Sequence, residues 1–451
     1  MNPYLPLSAT DRREMLAAVG YASFDEMVAH IPASLRVPAL DIPPGVSELE
    51  VQLKLRDLAS RNTPLGPKAF LGAGVYQRFV PAAVDALVSR SEFYTAYTPY
   101  QPEVSQGTLQ YTYEYQSMIC ALTGMDVSNA SLYDGSTAMA EAAFMAMRIT
   151  GRKEIVVAGA VHPEYLEVLR TYARGPEPVI RVAPQANGRL APAAAAETLG
   201  PDAACLIVQS PNFLGLLEDM PALAEAAHAA GALLVAVVDP VSLAVLAPPG
   251  SYGADIVVGD GQAVGNMPNF GGPHVGFMAC RSAHFRQLPG RIVGATVDAR
   301  GDRAYTLTLQ TREQHIRREK ATSNICTNQA LCALAVTVYL SLAGAEGLRQ
   351  VCEVSAERAH ALAGKIAALP GFSLVHEGPF LHEFAVRSPV PVPRLLAALE
   401  ERGFLAGVPL GRFYPDLSDA FLVAVTELND PVSLDALVTA LQESSGAIAG
   451  R

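Results

Sequence analysis

The sequence predicts an α/β fold, with a mostly parallel central sheet in a large domain and a small C-terminal α+β domain. Six short segments are almost wholly apolar, as expected for strands that a parallel sheet buries on both faces. These strands are predicted at residues 154–158, 179–182, 205–209, 233–238, 256–259 and 275–279. Helical patterns lie between several of them, notably at 162–174 and 221–230. Strands that alternate with helices in this way indicate a three-layer α/β domain.

The remaining regions suggest further folding units, because a chain of 451 residues exceeds what one hydrophobic core usually serves. Residues 1–65 carry capping-box patterns at Ser23 and Ser47, joined by a connector at 31–44 with prolines at positions 32, 38, 43 and 44. We predict a helical arm there that wraps another surface, and the large domain over residues 66–330. The small domain, 331–451, is predicted from a long helix followed by alternating strands and helices. The long helix runs from 330 to 369 with a break near 344–347, and the later elements lie at 380–387, 392–402, 421–426 and 432–444.

Composition narrows the classes of partner. The net charge is −11 and no basic run occurs, which argues against nucleic acid and against an anionic membrane surface. Residues 1–6 do not resemble a signal peptide, and the most apolar stretch, 330–343, is interrupted by Thr337 and Ser341 and predicts a buried helix. The six cysteines show neither a CxxC pair nor a metal-ligand spacing. This usage favours a reducing cytoplasm and predicts no metal site.

Three motifs at strand or helix ends carry chemistry. Ser136 and Thr137 open a predicted helix, where hydroxyls and free backbone N–H groups suit a phosphate, although such residues also cap helices. His162 follows the first predicted strand, at the edge where α/β sheets bind ligands, and could stack on a cofactor ring or cap the next helix. Asp239 closes another strand, where it could pair with a protonated pyridine nitrogen or form a turn.

The order of these motifs is that of aminotransferase-type enzymes that use pyridoxal phosphate (PLP). In such enzymes the next strand is followed by the lysine that binds the cofactor covalently. Residues 253–265 contain no lysine, and none of the five lysines of the chain lies between Lys153 and Lys320. Because PLP chemistry exchanges the substrate onto the cofactor through such an amine, no covalently bound cofactor is expected in this chain.

Two further segments are unusual. The loop of residues 95–107 is dense in tyrosine, proline and polar groups, so we expect it to meet a ligand or a partner. Tyr111, Tyr113 and Tyr115 follow it and are interpreted as packing residues of the next helix. Residues 310–327 mix charges of both signs, which predicts either a solvated helix face or a salt-bridged junction or anion contact.

These segments resemble the P-protein family of the glycine cleavage system, and more narrowly the first subunit of its two-chain form. The resemblance rests on phrases that spread over most of the chain: FYTAYTPYQPE at 93–103, YDGSTA at 133–138, GADIVVG at 253–259, FGGP at 270–273, and the run 310–327. It implies the aminotransferase-like fold of PLP-dependent transferases, fold type I. It also implies a complex that decarboxylates glycine with PLP and transfers the aminomethyl group to the lipoyl arm of the H-protein.

In the two-chain form, the resemblance implies, the PLP lysine lies in subunit 2 and the two subunits assemble as α2β2. The lysine and its preceding histidine correspond to positions near Ala263 and Gln262 of this chain. This chain would then hold no catalytic residue and no covalent cofactor of its own. The resemblance assigns the loop a role in the partner's active site, through Thr95, Tyr97, Tyr100, Gln101 and Glu103. It assigns a vestigial cofactor pocket to Ser136, Thr137, His162, Asp239, Gln262 and Ala263.

Two alternatives remain open at the level of the sequence. One is a self-sufficient PLP enzyme whose lysine has moved, with Lys320 as the candidate nearest the expected site. The other is a binding or scaffold protein outside glycine metabolism.

Overall fold

The computed structural model describes residues 7–37, 41–64 and 66–450. The segment tested for a signal peptide, 1–6, and Pro38 of the predicted connector lie outside the described residues. The chain divides into two compact units, Met1–Pro64 and Leu65–Arg451. The predicted division of the second unit at residue 330 stays a prediction.

The first unit consists of short helices and connecting segments, and none of its described residues is buried. Its α-helices are α1 (Ala9–Ala18), α2 (Phe24–Met27) and α3 (Glu48–Ser60). The capping box predicted at Ser47 is complete, because its hydroxyl and the Glu50 carboxylate each accept the other residue's backbone N–H. At Ser23 the box is only half formed, since the Glu26 carboxylate accepts the N–H of Ala22 instead.

A seven-stranded sheet forms the centre of the second unit, in the order β1-β7-β6-β5-β4-β2-β3. Its strands are β1 (Val127–Ser128), β2 (Glu154–Ala158), β3 (Val179–Ala183), β4 (Ala203–Gln209), β5 (Leu233–Val238), β6 (Ile256–Asp260) and β7 (Gly276–Cys280). The strands β2 to β6 pair in parallel, whereas β7 runs antiparallel to β6 and to β1. The predicted α/β fold with a mostly parallel sheet is therefore confirmed.

Helices cover this sheet and position its functional edge. They are α4 (Ala82–Val88), α5 (Ser91–Tyr94), α6 (Gln106–Thr123), α7 (Gly135–Thr150), α8 (Pro163–Tyr172), α9 (Pro192–Thr198) and α10 (Met220–Ala229). Helix α7 contacts β4, β5, β6 and β7 through a face of small residues, among them the buried Ala138, Ala142 and Ala146. Small side chains let the helix lie close to the sheet, which fixes where its first turn points.

A β-hairpin of the second unit was not predicted from the sequence. The strands β8 (Ile292–Val297) and β9 (Arg303–Thr308) form an antiparallel hairpin that packs on α6. The Gln116 side chain of α6 binds the backbone N–H and C=O of Val293, and Leu109 shares a small core with Tyr305 and Leu307 of the hairpin. The following charged run is not one helix but a series of single turns, including α11 (Gln314–Arg317). Residues 314–320 are exposed, so the predicted solvated face is present, on short turns and not on one helix.

A 38-residue helix, α12 (Ala330–Ala367), follows this region. Gly344, with φ 59°, interrupts it where the break was predicted. Among the described helices it alone is long and apolar enough to cross a membrane, yet more than half of its most apolar window is buried within the fold. Residues such as Val336 and Tyr339 join the core of the large sheet, while Leu362 and Ile366 join a second core. The predicted buried helix is confirmed.

The second core belongs to a four-stranded antiparallel sheet of order β10-β11-β13-β12. Its strands are β10 (Ser373–Leu374), β11 (Glu383–Arg387), β12 (Val408–Pro409) and β13 (Ala420–Ala424), and its helices are α13 (Val392–Glu400) and α14 (Pro431–Ala449). Phe384 and Phe421 face Leu395 of α13 and Leu437 of α14 in this core. The C-terminal region thus has the predicted α+β character.

Candidate functional site

The first turn of α7 is held by its own cap. Asp134 accepts the backbone N–H of Thr137 at 2.8 Å, and the hydroxyl of Thr137 accepts the backbone N–H of Asp134 at 3.2 Å. The hydroxyl of Ser136 also donates to the Asp134 carboxylate. The two hydroxyls predicted to bind a phosphate are therefore both engaged by Asp134, that of Ser136 by the carboxylate and that of Thr137 by the backbone N–H and C=O. A carboxylate at a helix N-terminus is favoured by the helix dipole.

A second carboxylate reaches the same helix end from β6. Asp260 Oδ2 accepts the backbone N–H of Gly135 at 2.9 Å, and Oδ1 accepts the backbone N–H of Gln262 at 2.8 Å. His274 Nδ1 lies 3.1 Å from Asp260 Oδ2, and this hydrogen bond raises the pKa of the His274 imidazole. Asp260 was not among the predicted site residues, because only the fold brings it to Gly135, 125 positions earlier in the chain.

His162 caps α8 and stacks on a neighbouring ring. Its Nδ1 accepts the backbone N–H of Glu164 at 3.1 Å, and its Nε2 lies 2.9 Å from the carbonyl oxygen of Ala73, to which it must donate. Burial lowers the pKa of His162, in agreement with a neutral ring protonated on Nε2. The ring of Tyr165 lies on that of His162, with centroids 4.6 Å apart and planes inclined by 12°.

Asp239 lies at the end of β5 in a group of buried charges. Its Oδ1 accepts the backbone N–H of Val241 at 3.1 Å, while Oδ2 is buried with no hydrogen-bond partner among the described residues. Burial raises the pKa of Asp239, and the guanidinium of Arg78 opposes that shift. His382 Nε2 lies 3.9 Å from Oδ2, and burial holds the pKa of His382 well below its ordinary value, which favours a neutral imidazole beside Asp239.

The positions expected for the histidine and lysine of a catalytic copy hold Gln262 and Ala263. The Gln262 side chain accepts the backbone N–H of Tyr76 at 2.9 Å and donates to the carbonyl oxygens of Tyr76 and Asn266 at 3.0 and 2.7 Å. Gln262 thus fastens the backbone near Tyr76 to the end of β6. Ala263 is buried and offers no amine.

Two cavities adjoin these residues. A small one of about 40 Å³ is lined by His162, Tyr165, Asp239 and Ala263 among others, and a larger one of about 420 Å³ by Asp134, Ser136 and His274 among others. His162, Tyr165 and Asp260 line both cavities and so form the wall between them. Lys320 is exposed and lines neither.

These residues do not fit PLP. The amine is missing, Gly135 already donates to a carboxylate, and the hydroxyl of Ser136 already donates to another. The cavity next to Asp239 is about 40 Å³, roughly a tenth of the neighbouring cavity of about 420 Å³. The structure brings Ser136, Thr137, His162, Asp239, Gln262 and Ala263 to one edge of the sheet, and their origin as a cofactor pocket stays a prediction.

The loop of residues 95–107 lies at a different place, over a cavity of about 290 Å³ whose lining includes Tyr97, Arg291 and Asn328. Tyr97 is 82% exposed and Tyr100 is 46% exposed, and Gln101 and Glu103 are also exposed. The hydroxyl of Thr95 is used locally, because it donates to the carbonyl oxygen of Ser91 at 2.6 Å. Of the tyrosines that follow, Tyr111 and Tyr115 are buried and Tyr113 packs on Tyr305, as the packing interpretation expects.

Arg291 contacts this loop from its buried side. It was not predicted as a site residue. Its side chain is 6% exposed; Nη2 donates to the hydroxyl of Tyr100 at 3.3 Å, and the guanidinium carbon lies 5.6 Å from the centre of the Tyr100 ring. Asn328 accepts from Nη1 at 3.5 Å, and Glu313 lies 3.9 Å from Nε in a buried ion pair. Glu313 of the charged run is therefore paired with an arginine outside the run, whereas Arg317, Arg318 and Lys320, on which the predicted junction or anion contact rested, are exposed, and that interpretation stays a prediction.

Within the part of the chain that the structure describes, no group of three or more His, Cys, Asp or Glu side chains is arranged to hold a metal ion.

The sheet order, the helix α7 at its edge and the carboxylate at the end of β5 define the fold type I class of PLP-dependent enzymes. Lactobacillus brevis glutamate decarboxylase shares this fold with a TM-score of 0.68 at 13% identity, covering 94% of this chain and 97% of that chain. The family model of the glycine cleavage system P-protein matches residues 2–441. The chain belongs to that family.

Close relatives agree with this assignment. A protein of Moorella thermoacetica named probable glycine dehydrogenase (decarboxylating) subunit 1 is 51% identical, over 97% of this chain and 99% of its own length. The crystal structure of a glycine decarboxylase (P-protein) of the glycine cleavage system, in inhibitor-bound form, has a TM-score of 0.91 at 49% identity. That match covers 98% of this chain and 99% of the other.

Proposed function

We propose that this chain is the non-catalytic first subunit of a glycine dehydrogenase (decarboxylating), acting with a subunit 2 that carries PLP on a lysine. The assembled complex, an α2β2 heterotetramer in the cytoplasm, decarboxylates glycine and transfers the aminomethyl group to the lipoyl arm of the H-protein. The observation that carries the proposal is the pair Gln262 and Ala263, which offers no amine where one is required, in a chain that resembles subunit 1 relatives over nearly its whole length.

The contribution of this chain to the complex is the loop of residues 95–107. A tyrosine exposed to the degree of Tyr97 is costly in a free surface and typical of contact residues, since aromatic side chains dominate interfaces. Arg291 holds the Tyr100 ring and hydroxyl from the buried side, so Tyr100 is presented in one orientation. The hydroxyls of Tyr97 and Tyr100, with Gln101 and Glu103, are then available to bind groups in the partner's site.

An exchange assay tests the proposal. Each chain is purified alone and co-expressed with a lysine-bearing homologue of similar size, and glycine–bicarbonate exchange is measured with H-protein present. We expect activity only when both chains are present. Exchange by this chain alone, with PLP that borohydride fixes to Lys320, would establish a relocated lysine instead. A pair that co-purifies but never exchanges would place the chain outside glycine metabolism.

Tyrosine variants test the loop separately. Tyr97→Phe and Tyr100→Phe keep the rings and remove the hydroxyls, and we expect the exchange rate of the assembled complex to fall by roughly tenfold or more. Tyr172→Phe is the matched control, because this ring, at the end of α8, packs on Phe144 of α7, far along the chain from the loop. Rates equal to the control in both loop variants would rule out a role for the hydroxyls.

A further inference from the structure

We infer that Tyr165 and Asp260 act together as a built-in substitute for a phosphorylated aromatic ligand and keep the pocket at the end of the sheet closed to molecules of the PLP class. The Tyr165 ring, stacked on His162, takes the place of the ligand's aromatic ring. The Asp260 carboxylate, at the start of α7, takes the place of its phosphate. The chain would therefore not merely lack the lysine; it would also have filled the space.

The anionic part is the Asp260 carboxylate. Its Oδ2 accepts the N–H of Gly135, the first residue of a 16-residue helix, at 2.9 Å. Backbone N–H groups and the helix dipole at such an end are what bind phosphate in other proteins. Oδ1 is bound to the N–H of Gln262, and His274 approaches Oδ2 from the side of β7. A phosphate would have to displace a fully bonded carboxylate and approach Asp134 as well.

The aromatic part is the Tyr165 ring. It lies nearly parallel to the His162 ring, with centroids 4.6 Å apart, which is the stacking that an aromatic ligand on this histidine would make. Phe213 meets His162 edge-on, with centroids 4.8 Å apart and an interplanar angle of 60°. Stacking on His162 is thus already satisfied from within the chain.

Gly135 joins the two parts in space. A Cβ atom at this position would overlap the hydroxyl of Tyr165 and would lie 3.1 Å from Cβ of Asp260. Tyr165 therefore extends from His162 to the first residue of α7, along the path between the ring-stacking residue and the helix end. The cavity beside Asp239 and Ala263 is about 40 Å³, and the Tyr165 ring occupies the face of His162 on which a pyridine ring would stack, so such a ring cannot take that place unless Tyr165 moves.

A binding experiment on the full-length chain tests this inference. PLP retained after exhaustive dialysis is measured for the wild type, for Ala263→Lys and for the triple variant Ala263→Lys, Tyr165→Ala, Asp260→Ser. We expect retention at least tenfold greater in the triple variant than in the other two. Equal retention by Ala263→Lys and the triple variant would overturn the inference, because the lysine would then be the only element missing.

A phosphate-rescue experiment remains decisive if the triple variant does not fold. Asp260→Ala frees the N-terminus of α7, so inorganic phosphate should raise its thermal midpoint, by roughly 1–3 °C at ten times the Kd, relative to chloride of equal ionic strength. The wild type should not respond. Asp255→Ala is the matched control, because Asp255 also accepts a backbone N–H, that of Leu234 at 2.8 Å, but not at a helix end. An Asp260→Ala chain that responds no more than the control, or a wild type that responds equally, would overturn the role of Asp260.

Discussion

The hydroxyl of Tyr76 donates a 2.9 Å hydrogen bond to Oε2 of Glu383, on strand β11 of the smaller sheet. The backbone N–H of Ala73 donates a 2.7 Å bond to Oε1 of the same carboxyl group. Glu383 is buried, and burial raises its pKa to about 7. The segment that carries Ala73 to Tyr76, which also forms part of the cavity wall, is thus fastened to the C-terminal sheet by a group that titrates near neutrality.

Stability should therefore depend on pH through Glu383. Its pKa is about 7 in the folded chain and lower when unfolded, so the folded state binds the extra proton between these values. The stability that this proton contributes is present below the unfolded pKa and is lost as pH rises through about 7. We expect the thermal midpoint of the wild type to fall from pH 6 to pH 8, and Glu383→Gln to be more stable at pH 8 by about 1–3 kcal/mol. Parallel midpoint curves for the two proteins would contradict this assignment.

Among the buried charged residues near Asp239, Arg78 is expected to cost the most stability when its charge is removed. Its side chain is 2% exposed, and Nη1 lies 2.8 Å from Oε2 of Glu427. The guanidinium also interacts electrostatically with Asp239. Arg78→Met should reduce the free energy of unfolding by about 3–5 kcal/mol, because it leaves buried carboxylates without a cation. Urea unfolding measures the loss. The control is Arg61→Met, which breaks an ion pair exposed by 69% and 66% and should change stability by less than about 1 kcal/mol.

Strand β7 passes so close to the N-terminal cap of α7 that a side chain at position 276 should not be tolerated. A Cβ atom there would overlap the carbonyl oxygen of Asp134, which is backbone and cannot swing away. Gly276→Ala should lower stability by roughly 1–3 kcal/mol through overpacking. In Gly294→Ala, by contrast, the nearest atom to the new Cβ lies 3.6 Å away, so this variant should be close to neutral. Similar thermal midpoints for the two variants would show that the cap is not tightly held against β7.

Arg291 should affect activity of the complex through the orientation of Tyr100. Lysine keeps the positive charge but cannot bind Tyr100 and Asn328 together with a planar fork, nor stack as a guanidinium does. We expect Arg291→Lys to lower kcat/KM for exchange about tenfold, equivalent to ~1.4 kcal/mol, with the two subunits still co-purifying. Arg286→Lys, at an exposed arginine over Phe285, is the control. Loss of assembly with an unchanged rate per complex would assign Arg291 to the fold alone.

The fold could be predicted where the sequence pattern is continuous. Strands β2 and β5 begin and end at the predicted residues, because Ile155–Ala158 and Leu233–Val238 are apolar runs that end at Gly159 and Asp239. The antiparallel direction of β7 could not be predicted, since an apolar run carries no direction. The hairpin β8–β9 had a signal that was overlooked: alternation in Arg303–Thr308 after a turn that contains Gly301, with φ 89°.

The sequence could identify individual residues of the site but not the groups that they bind. Ser136, His162 and Asp239 stand out because each follows or opens a regular element. What each one binds is decided by its partners in the folded chain, some local and some distant: Ser136 by the nearby Asp134, His162 by the nearby Tyr165 and the distant Ala73, and Asp239 by the distant Arg78. Asp260 and Tyr165 carry no local pattern that distinguishes them from a strand-end acid and an ordinary helix residue. Their effect arises from proximity that only the folded chain creates.

The contact between Tyr165 and Gly135 affects how many substitutions this chain would need to bind PLP. Regaining a lysine at position 263 takes one substitution, but the ring over His162 and the acid at the helix end would remain. A lineage that regained the lysine alone would bury an amine beside a closed pocket and gain nothing that selection could retain. Under the proposed division of roles between two subunits, this chain would therefore need changes at positions 263, 165 and 260 together, and no single substitution would give it a PLP site of its own.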